Sequence, residues 1–227
     1  MRLRLPEEHP TEPPTGYKIA RPVLSHDGTR AGFTGVSLGA ALPYGVLAEA
    51  ACVYGRRHRA PHRRCDCGFH CVHDRTTAEA LLCTAGHRGA VLLEVTVLGA
   101  YIRFERGFRY ARQRVRHVTL PPCGCGAAAT LLADAGWGRP GWRVVEGVCG
   151  RCRGGRQARS VAGFARLAGE GVTVVAADPP ATGDGLPGLG MPELMAEAAL
   201  LQARLDHFQA ELARFSGDEP GSGDQRG

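Results

Sequence analysis

Short apolar runs rich in β-branched and aromatic side chains, with apolar and polar positions alternating over 111–116, recur along the first 180 residues and predict strands. Residues 17–24 form one, closed by the turn signal Asp27-Gly28. Residues 90–98, 100–105 and 108–120 are rich in β-branched and aromatic side chains, and Glu105-Arg106-Gly107 makes a tight connection between the last two. Residues 142–145 and 172–177 add shorter strands. Helical spacing is sparser. It predicts helices over 74–83, with Asp74 or Thr76 as N-cap, over 127–135 and over 160–167, while 42–54 reads as a short helix or an irregular hydrophobic loop. The clearest helix comes last. Leu194, Ala198, Leu201, Leu205, Phe208, Leu212 and Phe215 recur at steps of four and three, with Pro192 suited to the first turn and Gly217 beyond the end.

These elements predict an α+β chain. A loose lead-in (1–16) precedes an antiparallel-sheet domain with a Cys/His metal knuckle (17–120). A zinc-ribbon-like unit with one more helix and strand (121–178) and a Pro/Gly linker (179–190) follow. The heptad helix (191–216) is read as a coiled-coil seam for a protein partner or a second copy, against docking on its own body, and 217–227 as a disordered tail.

Composition changes that picture in two ways. Across 227 residues no apolar run approaches the roughly 18 that span a bilayer. The longest, 90–97, is broken by Glu94, and the amino-terminal arginines are not followed by an apolar segment, so a cytoplasmic protein without a membrane partner is expected. In a reducing compartment nine cysteines argue for metal ligation or thiol chemistry over a disulfide framework. Charge is also segregated. Residues 1–160 hold 24 Lys+Arg against 12 Asp+Glu, and residues 161–227 hold 4 against 10. A basic body with an acidic tail suits a polyanionic partner, or masking of the body by the tail.

The cysteines fall into two sets. Cys123-Gly-Cys125-Gly and Cys149-Gly-Arg-Cys152 form paired knuckles on separate segments, the pattern of a closed tetrathiolate zinc site. Cys52, His58, Cys65 and Cys67 are the preferred ligands of a second zinc ion, although His62, His70, Cys71 and His73 crowd the same stretch. Cys83 is expected on the apolar side of its helix. The run His58-Arg-Ala-Pro-His-Arg-Arg-Cys65-Asp-Cys67-Gly68-Phe69-His70 resembles the H-x-A-P-x3-C-x-C-G motif of an uncharacterised actinobacterial and actinophage family. Residues 99–109, running from Gly99 through Gly107 to Arg109, are similar to that family's G-x-V-x-x-x-x-x-G-Y-R strand pair. The resemblance covers residues 17–120, and it implies a Cys/His site without an activity.

Catalytic motifs fall away on context. Gly35-Val36-Ser37-Leu38-Gly39 satisfies G-x-S-x-G but lacks a preceding buried strand, and the Gly183–Gly188 match to G-x-G-x-x-G lies in the linker. An open catalytic zinc at the first site would need Asp66 or Asp74 as base. The expectation is therefore a non-enzymatic, zinc-stabilised binding protein. Its nucleic-acid surface would comprise Arg56, Arg57, Arg59, Arg63 and Arg64 around the first knuckle, Arg112, Arg114 and Arg116 on one strand face, and Arg151 and Arg153 beside the last cysteine. Tyr101, Phe104, Phe108 and Tyr110 are candidates to stack on bases. A zinc-stapled protein-interaction scaffold and a thiol or metal sensor are the competing readings.

Overall fold

The computed structural model describes residues 12–36 and 42–178. Antiparallel strands dominate. β1 (Thr15–Ser25) is the organising element because its two halves pair in different directions. Thr15–Ala20 pair with β5 (Val91–Phe104), whereas Arg21–Leu24 pair with β2 (Ala31–Thr34) and Val23–Ser25 with β8 (Trp142–Val148). β6 (Gly107–Leu120) does similar work on the other side of β5. It carries β3 (Leu47–Glu49), β4 (Phe69–Val72) and, in parallel, β10 (Thr173–Ala176). β7 (Leu131–Arg139) lies between β8 and β9 (Ala158–Ser160). Because β1 pairs with β8 and β6 with β10, the ladders run across residue 120.

The core lies under these strands. Tyr110, Phe33, Phe164, Leu93, Leu120 and Leu132 are its largest sealed side chains. α1 (Arg75–Leu82) starts at Asp74, whose carboxylate accepts from the Thr77 N–H, and buries only Ala78. α2 (Val161–Ala168) starts at Ser160 and drives Phe164 edge-on against Phe33 at 6.0 Å. No described helix is long and apolar enough to cross a membrane.

Three expectations are corrected and one open alternative is resolved. Residues 127–135 are not helical: 127–130 form a loop, and Leu131–Ala133 pair with β8 on one side and β9 on the other. Ladder bonds on both edges outweigh the helix propensity of the alanines. Of the two readings of 42–54 the irregular segment is the one that forms, broken by Leu47–Glu49, which dock on β6 as β3, and by the bridge from Tyr44 to Phe33. The strands expected at 90–98 and 100–105 are one strand, β5, with a register shift between Leu98 and Tyr101. Cys83 is the exposed C-cap of α1 rather than a core residue. The linker, the heptad residues Leu194, Leu201, Leu205, Phe208, Leu212 and Phe215, and the tail lie outside the described residues, as does Ser37.

Candidate metal centres

The loop from Cys52 to Cys67 is pinned at both ends to β6. β3 leads into it, and β4 leads out of it with Phe69 opposite Tyr110 and His70 opposite Arg109. Between these anchors the chain has no strand or helix, only the bridge between His62 and Cys65. Cys52, His58, Cys65 and Cys67 bring their ligand atoms within 4.8 Å of one another. The Cys52 and Cys65 sulfurs are 3.9 Å apart, and His58 Nε2 is 3.2 Å from Cys67 Sγ. Burial, with His62 and Arg56 nearby, lowers the His58 pKa and favours the neutral imidazole that a metal needs. Burial raises the Cys67 pKa, so this thiol keeps its proton until a cation replaces it.

Sequence reasoning missed the brace behind this loop. Arg109 is buried, and its guanidinium donates to Cys65 O at 2.6 Å and His62 O at 3.3 Å, while meeting the Asp66 carboxylate at 3.2 Å. One side chain on β6 thereby satisfies two carbonyls of the loop and fixes the turn that presents Cys65 and Cys67. Gly68 completes the turn. Its φ of +123° is in the region glycine tolerates, and a Cβ there would come within 3.0 Å of Arg109 Cγ and 3.2 Å of Tyr110 O. That explains the glycine after Cys67.

The second cluster sits where two strands end. Cys123 and Cys125 follow β6, Cys149 and Cys152 follow β8, and their four sulfurs lie within 4.8 Å of one another. Each knuckle is a tight turn: Gly126 N–H donates to Cys123 O at 2.7 Å, and Arg153 N–H to Cys149 O at 3.1 Å. Cys123 and Cys149 are buried beside Ala133 and Val148, whereas Cys125 and Cys152 are exposed. Backbone N–H groups of Cys125 and Cys149 hold the Cys123 thiol down to about 6. Hydrogen bonds shared with the other three thiols push Cys152 up.

Both clusters fit a tetrahedral ion. With metal–sulfur bonds of about 2.3 Å, the edge between two sulfurs of such a site is ~3.8 Å. The observed 3.9 Å between Cys52 and Cys65, and 3.6 Å between Cys125 and Cys149, match it. Each cluster offers four protein donors, enough to close a tetrahedral shell around an ion. The conceivable bases are occupied elsewhere: Asp66 on Arg109, and Asp74 on the α1 N-terminus. His62 stacks on His58 at 4.4 Å, His73 bonds Phe104 O at 2.9 Å, and Cys71 lies in the main core, so none of them joins a cluster.

Arg56, Arg57, Arg59, Arg63 and Arg64 are exposed on the first loop, and among the described residues none pairs with a carboxylate. Arg112 and Arg116 are exposed on β6 and Arg114 is half-buried, with Arg116 donating to Thr96 Oγ1. Arg151 and Arg153 are exposed beside Cys152. The aromatic expectation is corrected: Tyr110 and Phe108 are core residues and Tyr101 packs against them, which leaves only Phe104 exposed, at 49%. The exposed aromatic on the metal loop is Tyr54, at 60%, which the sequence reading overlooked although it stands two residues from Arg56. Comparison with protein-family models, with curated proteins and with solved structures finds no match to this chain.

Proposed function

We propose that this protein is a zinc-stapled, non-enzymatic binding protein whose first metal loop contacts single-stranded nucleic acid. One observation carries the reading. Five exposed guanidinium groups that pair with no carboxylate among the described residues, and an exposed tyrosine, sit on the single loop that carries the first cluster. Thiolate-rich tetrahedral donor sets favour zinc among the common divalent ions. Arginine forks suit phosphate, and Tyr54 offers a ring on which a base can stack. The acidic carboxyl-terminal segment and its heptad pattern remain the proposed assembly element.

Anisotropy titration of a single-stranded oligonucleotide against salt tests this. Affinity should fall steeply with ionic strength, and each of Arg57→Ala, Arg59→Ala and Arg63→Ala should reduce the log–log slope by about 0.7. Tyr54→Ala should cost about 1–3 kcal/mol without changing the slope. Absence of binding at low salt by protein that retains its metal would overturn the reading and favour the protein-interaction scaffold. A thiol-sensor reading draws on the exposure of Cys125 and Cys152. Thiol titration with and without oxidant addresses it.

A further inference from the structure

A cavity of about 300 Å³ shares no residue with either metal cluster or with the first metal loop. That volume stands at the lower end of the ~300–1,000 Å³ that small-molecule sites span. Three segments each bring an arginine to it: β8 supplies Arg143, β9 supplies Arg159, and the turn after Cys152 supplies Arg153. Leu24 and Val145 also line it but are only 2% and 1% exposed. The cavity therefore offers a ligand charge and not an apolar wall.

The three guanidinium groups are positioned with donors to spare. Arg143 Nη1 donates to Gln157 Oε1 at 2.6 Å, and Gln157 is tied down in turn, since its carbonyl accepts the Asp134 N–H at 2.9 Å. Arg153 uses its Nε on Arg156 O at 3.1 Å, and Arg159 Nη2 makes one long contact, 3.5 Å from Gly28 O. Two of the groups converge: a Cβ on Gly28 would lie 3.0 Å from Arg159 Nη2 and 4.0 Å from Arg143 Nη2. Among the described residues the one carboxylate lining the cavity is Asp134, 3.8 Å from Arg143, and its other oxygen accepts the Gly136 N–H at 2.8 Å. Three positive charges against one negative leave an excess of two.

We propose that this cavity binds the phosphoryl group of a small phosphomonoester. Its dianion matches the excess charge, and its three terminal oxygens fan out toward donors that arrive from three directions. A carboxylate, with a single charge and two oxygens in one plane, would leave a guanidinium unmatched. The concave setting matters, because arginines on an open face lose most of their pull to solvent and salt. The second knuckle sets one wall of the site, since the Arg153 N–H is held on Cys149 O.

Isothermal titration calorimetry of the full, metal-loaded chain at fixed ionic strength tests this with ribose 5-phosphate, ribose and inorganic phosphate. Ribose 5-phosphate should bind one to one and ribose should not. Inorganic phosphate distinguishes the sources: weaker binding than the ester supports an ester ligand, and equal binding supports the phosphoryl site with free phosphate as its occupant. Arg143→Gln and Arg159→Gln should each weaken ribose 5-phosphate at least about tenfold, the effect of losing one charged donor. Asp134→Asn keeps an acceptor for the Gly136 N–H but removes the opposing charge, and should tighten binding about threefold, a gain that misfolding cannot produce. Arg106→Gln, at an exposed arginine of the β5–β6 turn, should leave the affinity unchanged. Failure of ribose 5-phosphate to bind would overturn the proposal, as would a loss in Arg106→Gln as large as that in Arg159→Gln, which would reduce the site to diffuse positive charge.

Discussion

The two clusters hold similar donors in opposite ways. The second is appended to a ladder that exists without it. β7 and β8 pair from Leu131–Val148 to Arg139–Trp142, β9 covers the other edge of β7, and the cysteines close the strand ends. The first closes a loop with little of its own to hold it. Its apolar support is Ala60, Cys65 and Cys67, with Ala50 and Cys52 alongside, and beyond a few local turn bonds such as Gly55 N–H to Cys52 O and Cys65 N–H to His62 O its hydrogen bonds to the body come from Arg109. Where backbone ladders already satisfy the chain, a metal adds to stability locally. Where they are missing, it decides whether the segment has a structure at all.

That contrast can be broken most directly by removing one thiol from each cluster. Cys67→Ser should cost about 3 kcal/mol or more and abolish amide protection over 52–67, whereas Cys152→Ser, at an exposed corner, should cost about half as much and leave β7 and β8 protected. Hydrogen exchange with thermal unfolding reads both effects, and equal losses would refute the distinction. Arg109→Met comes next. It strands the carbonyls of Cys65 and His62 and should cost about 2–3 kcal/mol, with weaker metal retention at the first cluster only. The smallest effect belongs to Asp66→Asn. Its side chain is 90% exposed, so despite the 3.2 Å pair with Arg109 it should change stability by less than about 0.5 kcal/mol.

Legibility in the sequence follows the same division. The paired knuckles at 123/125 and 149/152 stand out by spacing, whereas the first stretch offered His62, His70, Cys71 and His73 beside the preferred Cys52, His58, Cys65 and Cys67, and the folded loop is what draws those four together. The strands around Tyr17 and across β5 and β6 were legible from their β-branched and aromatic content, with alternation plain only where β6 turns Gln113 and Val115 inward between Arg112, Arg114 and Arg116. The alanine-rich run before Asp134 misled, because strand pairing on both edges is invisible to local propensity. Arg109 stood in the sequence only as the end of the Gly99–Arg109 strand-pair motif, one of six arginines in residues 101–120, and only the β4–β6 register brings it under the loop.

The central claim is that bound ions, and not apolar packing alone, hold the 52–67 loop in shape. Metal analysis of the purified chain, followed by thermal unfolding with and without a chelator, tests it most directly. The account predicts two zinc ions per chain, one for each cluster, and a large fall in melting temperature on chelation. A metal-free chain whose melting temperature a chelator leaves unchanged would contradict it.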